Sequence, residues 1–126
     1  MRQIIQLDDK LKLEIMNFEK SCEQICQRQK DKYYDLFNKK GKHLAVELIR
    51  EKKGKIAAAN EVFDENYESY IETGVVEEDE YFPDAYIPLW KCKNEWFQII
   101  GYMNEDSLSD IEKKLEKIIL EMLEEA

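Results

Sequence analysis

The sequence predicts an α+β protein: a long N-terminal helix and a C-terminal helix packed on a small antiparallel sheet of hairpins, about four strands in all. Three patterns carry this. Leu11, Ile15, Phe18, Cys22 and Ile25 step by four and three, tracing one face of a helix. Ile111, Leu115, Ile118, Ile119, Met122 and Leu123 trace a second such face near the C-terminus. Between them, Tyr86 to Met103 alternates with a period of two and is rich in aromatic and β-branched residues, as a pleated, half-buried surface favours.

Met1 to Leu7 reads as a short arm or strand. Asp8 and Asp9 can each cap the long helix, and their charge suits the positive end of its dipole. No Gly or Pro interrupts residues 2–40, and Gly41 offers a stop, so the helix runs for about 30 residues, or ~45 Å at 1.5 Å per residue. That length predicts a helix that bends, projects or pairs with another chain. Its heptad-like spacing would suit a homodimer through residues 9–39, although Cys22 and Gln29 weaken such a seam.

His43 to Phe63 carries mixed signals. Leu44, Val46 and Leu48 alternate with Ala45, Glu47 and Ile49, and Glu51-Lys52-Lys53-Gly54 resembles a hairpin turn with Gly54 in the left-handed position. Ala57-Ala58-Ala59 favours helix instead. We read a hairpin over Leu44–Phe63 and then a short helix near Asp64–Glu72. Gly74 to Asp84 reads as a loop, because four successive acids repel one another.

The stretch Tyr81–Met103 holds both tryptophans and both prolines. Lys93-Asn94-Glu95 reads as the turn of its hairpin, and Pro88 places the first strand after itself or on an edge. This hairpin is expected to floor the core. Trp90 and Trp96 are read as core residues, with exposed partner anchors as the alternative. Ser109 with Glu112 forms a capping box for the C-terminal helix.

At 126 residues the length predicts a single domain, 1–126. No apolar run approaches the ~18 residues of a membrane helix, and the N-terminus lacks the apolar core of a secretory signal. A cytoplasmic protein with three reduced cysteines is expected, with no membrane partner. Cys22, Cys26, Cys92 and His43 make a zinc-sized set, but a mid-helix Cys-x₃-Cys is a poor zinc knuckle. No phosphate loop, nucleophile elbow or dinucleotide fingerprint occurs. We therefore expect no cofactor, no metal and no catalytic residue.

The net charge of −9 is unevenly laid out. Residues 1–55 carry 14 Lys/Arg against 9 Asp/Glu, whereas residues 56–90 carry 10 acids and no base at all. The basic region is rich in Lys and poor in Arg, and the pI of about 4.7 argues against nucleic acid. The acidic region interleaves acids with rings, a combination that steers a basic partner and then anchors it. The predicted contacts are Glu68, Tyr70, Glu72, Glu77, Glu78, Asp79, Glu80, Tyr81, Phe82, Asp84 and Tyr86. The expected function is that of a small acidic protein-binding protein, not an enzyme. It would be an inhibitor, immunity-type or anti-defence protein that docks on a basic, nucleic-acid-handling partner, its acids mimicking phosphates. The alternatives are a homodimeric adaptor built on the long helix and a small carboxylate-dependent enzyme.

Overall fold

A computed structural model describes all 126 residues. Strand β1 (Arg2–Ile4) leads into helix α1 (Asp9–Asn38). Strands β2 (His43–Lys52), β3 (Lys55–Ile56), β4 (Tyr67–Glu77), β5 (Glu80–Glu95) and β6 (Gln98–Met103) follow, then helix α2 (Leu108–Glu125). The six strands form one antiparallel sheet in the order β1-β6-β5-β4-β2-β3, and both helices pack on the same face of it. The α+β class stands, with six strands rather than about four.

Helix α1 begins where its cap allows. The Asp8 carboxylate accepts a 2.9 Å bond from the Leu11 amide. At the far end Gly41 takes φ of 76°, and the Lys42 amide returns to Phe37 O at 3.1 Å. Its inward stripe is Leu11, Ile15, Cys22, Ile25, Cys26, Tyr33 and Phe37. This stripe lies on the sheet over two buried clusters, one shared with α2 and one around Trp90. The apolar seam expected for dimerisation is thus covered by the chain itself. Helix α2 is capped by Ser107, whose Oγ accepts from the Asp110 amide at 3.1 Å, so Ser109 lies inside the helix and the expected capping box is corrected.

Glu19 stands in the buried stripe of α1 and is fully buried. It survives there because Arg50 Nε donates to it at 3.2 Å and Tyr67 Oη at 2.7 Å, so both carboxylate oxygens are engaged.

Strand β4 replaces the short helix expected near Asp64–Glu72 and half of the loop expected over Gly74–Asp84. Its alternation places Tyr67, Ser69, Ile71, Thr73 and Val75 on the helix side and Glu68, Tyr70 and Glu72 on the other. The rest of that loop is strand β5, which runs through both prolines in the sheet interior. Two bulges make this tolerable. Tyr70 pairs with Pro88 but Ser69 with Trp90, leaving Leu89 as the extra residue; Gly74 and Thr73 bracket Asp84 in the same way. Each bulge abuts a proline that has no amide to offer the ladder. The Leu89 bulge also shifts the face, so Trp90 and Cys92 join Ile87 inside.

Three hairpins close with two-residue turns whose central residues both have positive φ. They are Lys53-Gly54, Glu78-Asp79 and Trp96-Phe97. The turn expected at Lys93-Asn94-Glu95 is therefore three residues early, because the strand runs to Glu95 and pairs there with Gln98. Trp90 is fully buried as expected of a core residue; Trp96, at 89% exposure, is not. The β2–β3 turn falls where expected, but the return strand has two residues and gives way to a 3-10 turn over Ala59–Glu61.

Candidate protein-binding face

No helix covers the second face of the sheet. Alternation sends Glu47, Ile49 and Glu51 of β2 to it, with Glu68, Tyr70 and Glu72 of β4 beside them. Tyr86, Pro88 and Lys91 of β5 continue the surface. The pairing is specific: Glu47 lies opposite Glu72, Glu51 opposite Glu68, and Ile49 opposite Tyr70. Tyr70 meets Tyr86 edge to face with ring centroids 5.8 Å apart. A shallow hollow of about 460 Å³ sits here, with Tyr70, Tyr86 and Pro88 supplying its apolar surface and Glu51, Glu68 and Glu72 its carboxylates.

Like charges directly opposite each other on neighbouring strands are destabilising. Two such pairs flank the Ile49–Tyr70 pair here, and none of the four carboxylates belongs to an ion pair. A hydrogen bond with Glu51, with burial adding to it, raises the Glu68 carboxyl above the ordinary carboxylate range; Lys91 and Lys93 pull the other way. Burial and then Glu51 push the Tyr70 phenol up to about 12. Burial and then Glu72 raise Tyr81 as well. Lys91 is the one lysine or arginine lining the hollow, against the three carboxylates of Glu51, Glu68 and Glu72.

Four cations of the basic region are paired elsewhere. Arg28 grips Glu112 through two bonds of 2.9 and 2.6 Å, and Lys32 reaches Glu116 at 2.7 Å. Arg50 serves Glu19 and Glu23, and Lys52 serves Glu61 and Asp64. These cations thus neutralise acids of α2, of α1 and of the segment between β3 and β4, not those of β4 and β5.

Of the predicted contacts, Glu68, Tyr70, Glu72 and Tyr86 converge on the hollow. Tyr81 lies on the same face, opposite Val76. Glu77, Glu78, Asp79 and Glu80 form the tip of the β4–β5 hairpin at one end of the sheet. Phe82 and Asp84 do not join the hollow; they line a separate depression beside Met122 and the C-terminus. Glu47 and Glu51 belong to the face but were not singled out, because in the sequence they sit among the lysines of the basic region. Their alternation with Val46, Leu48 and Arg50 was the signal available.

No Cys–His pair is assembled. His43 Nδ1 lies 3.3 Å from Tyr34 Oη, away from every cysteine that could serve as nucleophile. Burial, first among the causes, pushes each of the three buried thiols up to about 12, so none is a ready thiolate. No group of three or more His, Cys, Asp or Glu side chains is placed to hold a metal ion. No helix is long and apolar enough to cross a membrane. Compared with protein-family models, with curated proteins and with solved structures, the chain matches none of them.

Proposed function

We propose that the chain is a protein-binding protein that docks a basic partner on the open face of its sheet. The observation that carries this is the double opposition, Glu47 against Glu72 and Glu51 against Glu68, on a surface that no element of the chain covers. An arginine or lysine from outside, set between Glu51 and Glu68, relieves the repulsion between them. Tyr70, Tyr86 and Pro88 then give that cation's aliphatic stem an apolar bed. The Glu77–Glu80 tip acts at longer range, steering the encounter more than holding the complex. A basic surface built to grip phosphates is the kind of partner these carboxylates suit, so an inhibitor of a nucleic-acid-handling protein is the reading we favour. Dimerisation through α1 has less behind it, since the stripe that would form the seam is buried against the sheet and α2.

The test uses the chain as bait in a lysate of the source cell, followed by purification of what it captures. The captured protein is expected to be basic, and its affinity to fall with salt. The triple variant E51K/E68K/E72K should abolish binding, whereas E77K/E78K/E80K should mainly slow association. Undiminished binding by E51K/E68K/E72K would remove the open face from consideration.

A further inference from the structure

The β5–β6 hairpin ends in two aromatic residues that do nothing for their own fold. Trp96 is 89% exposed and Phe97 fully so. Both occupy the left-handed region, with φ of 53° and 66°, which bulky residues rarely adopt. A two-residue turn of this type favours Asn-Gly. Neither packing nor turn geometry accounts for a Trp-Phe pair here.

The tip is also placed to reach outward. Strand β4 begins at Tyr67, and its neighbour Glu68 pairs with Lys91, so β5 runs on to Glu95 with β6 alone beside it. Lys53, Lys91 and Lys93 line one groove at this end, with Glu68, and none of the three lysines is in an ion pair; Glu95, next to Trp96, accepts from Tyr102 Oη at 2.8 Å. The tip therefore calls for apolar surface edged by carboxylates. A polyanion would satisfy the lysines as well, and binding to one is an outcome the experiment distinguishes. The hollow on the open face has the required chemistry, with tyrosine and proline surface beside Glu51, Glu68 and Glu72, and room for a ring at about 460 Å³. The tip cannot reach its own hollow, since about five residues of strand, or ~16 Å, separate Trp96 from Lys91 at its edge.

We infer that Trp96 and Phe97 of one copy insert into the hollow of a second copy, so that the free protein self-associates through the face that receives its partner. The inference rests on the open face being a docking surface, and it makes self-association and partner binding mutually exclusive. Two rings supply roughly 300–500 Å², less than the ~800 Å² per side of a standard stable interface. The association is accordingly weak and reversible.

Sedimentation velocity of the full chain, from micromolar to millimolar, tests this. The weight-average mass should rise with concentration and fall with salt, and Trp96 emission should shift to the blue as it is buried, above a constant background from Trp90. W96A/F97A, changed only at an exposed turn, and E51K/E68K/E72K should each stay monomeric. Mixing the two should restore a dimer, because one supplies the hollow and the other the tip. A chain that is monomeric throughout, or a W96A/F97A variant that associates like the parent, overturns the inference. So does Trp96-dependent binding to phosphatidylserine vesicles or oligothymidylate by a monomeric chain, which would identify a different occupant. Partner capture separates this from the functional proposal. A monomeric parent that still loses its partner on E51K/E68K/E72K sinks self-association alone. Self-association with partner capture indifferent to that variant sinks the functional reading alone.

Discussion

Gly101 of β6 faces Trp90 of β5 so closely that a Cβ on the glycine would lie 2.0 Å from Trp90 Cη2. The indole fills the space a side chain would take. It cannot retreat easily, because its Nε1 donates to Val62 O at 2.6 Å and it is fully buried. Gly101→Ala should therefore destabilise the protein by about 1–3 kcal/mol through overpacking. Urea denaturation followed by Trp90 fluorescence measures it, and an unchanged midpoint would mean the ring has room to move.

Glu19 should be a second weak point. Removing its carboxylate leaves the buried Tyr67 hydroxyl without its acceptor and takes one of the two carboxylates that serve Arg50. Glu19→Ala is expected to cost about 3–5 kcal/mol, the range for breaking a buried pair. Tyr67→Phe removes one hydrogen bond to the carboxylate and should cost about 1.5–3 kcal/mol. Equal losses from the two variants in chemical denaturation would show that the ion pair with Arg50 adds nothing.

The same residue shows what the sequence conceals. Leu11, Ile15, Cys22 and Ile25 declare the buried stripe of α1 by hydropathy, but Glu19 occupies it without declaring itself, because its partners come from β2 and β4. Helices were legible because their period and caps are local. The sheet was less so, because Tyr67 and Ile71 satisfy a helical step of four as well as an inward alternation of two. What settles the matter is pairing with β2 and β5, which no local pattern reports. Of the three hairpin turns only Lys53-Gly54 carries a glycine, and it alone falls where the sequence places it; Asp79 also tolerates positive φ, but the acids around it read as a loop. At the open face, Glu68, Tyr70, Glu72 and Tyr86 were legible as an acidic, aromatic run. Glu47 and Glu51 were not, because strand register, not sequence distance, brings them opposite those acids.

The Trp96-Phe97 turn should be a site where stability and function part. Trp96→Asn with Phe97→Gly places the preferred pair in a turn whose φ values are already 53° and 66°. Two bulky residues in this region carry strain on the order of 1 kcal/mol or more each. The double variant should therefore raise the thermal midpoint while abolishing self-association. A lowered midpoint would show that the rings support their own hairpin.

Glu68 should be destabilising at neutral pH. Its folded carboxyl is raised above the usual range, chiefly by the hydrogen bond with Glu51. Between the unfolded value and the raised one, the folded chain holds the extra proton, so stability falls as pH rises through that window. Glu68→Gln should stabilise the protein at pH 7 by a few tenths to about 1 kcal/mol, the scale of a like-charge cross-strand pair. Lys91, paired with Glu68 across β5, offsets part of the gain. The advantage should vanish below the ordinary carboxylate range, where the parent is protonated. An advantage independent of pH would point to packing instead.

Glu112 works in the opposite sense and sets the acid limb of the stability profile. A hydrogen bond from Arg28, then one from Gln29, holds its carboxyl down at about 2. A depressed folded value stabilises above the unfolded one, near 4.5, and the contribution drains away as pH falls from there toward 2. Glu116, lowered by Lys32 and Tyr33, adds to the same limb. Acidification from neutrality thus first relieves Glu68 and only later unties α2 from α1, which places the stability maximum on the mildly acidic side. Glu112→Gln should lower stability at pH 5 to 7 and leave little difference at pH 2, because the parent has by then lost most of the same interaction. Thermal unfolding of the parent, Glu68→Gln and Glu112→Gln across pH 2 to 8 separates the two limbs. If Glu112→Gln lost stability equally at every pH, the Arg28 clasp would be acting through shape and not through charge.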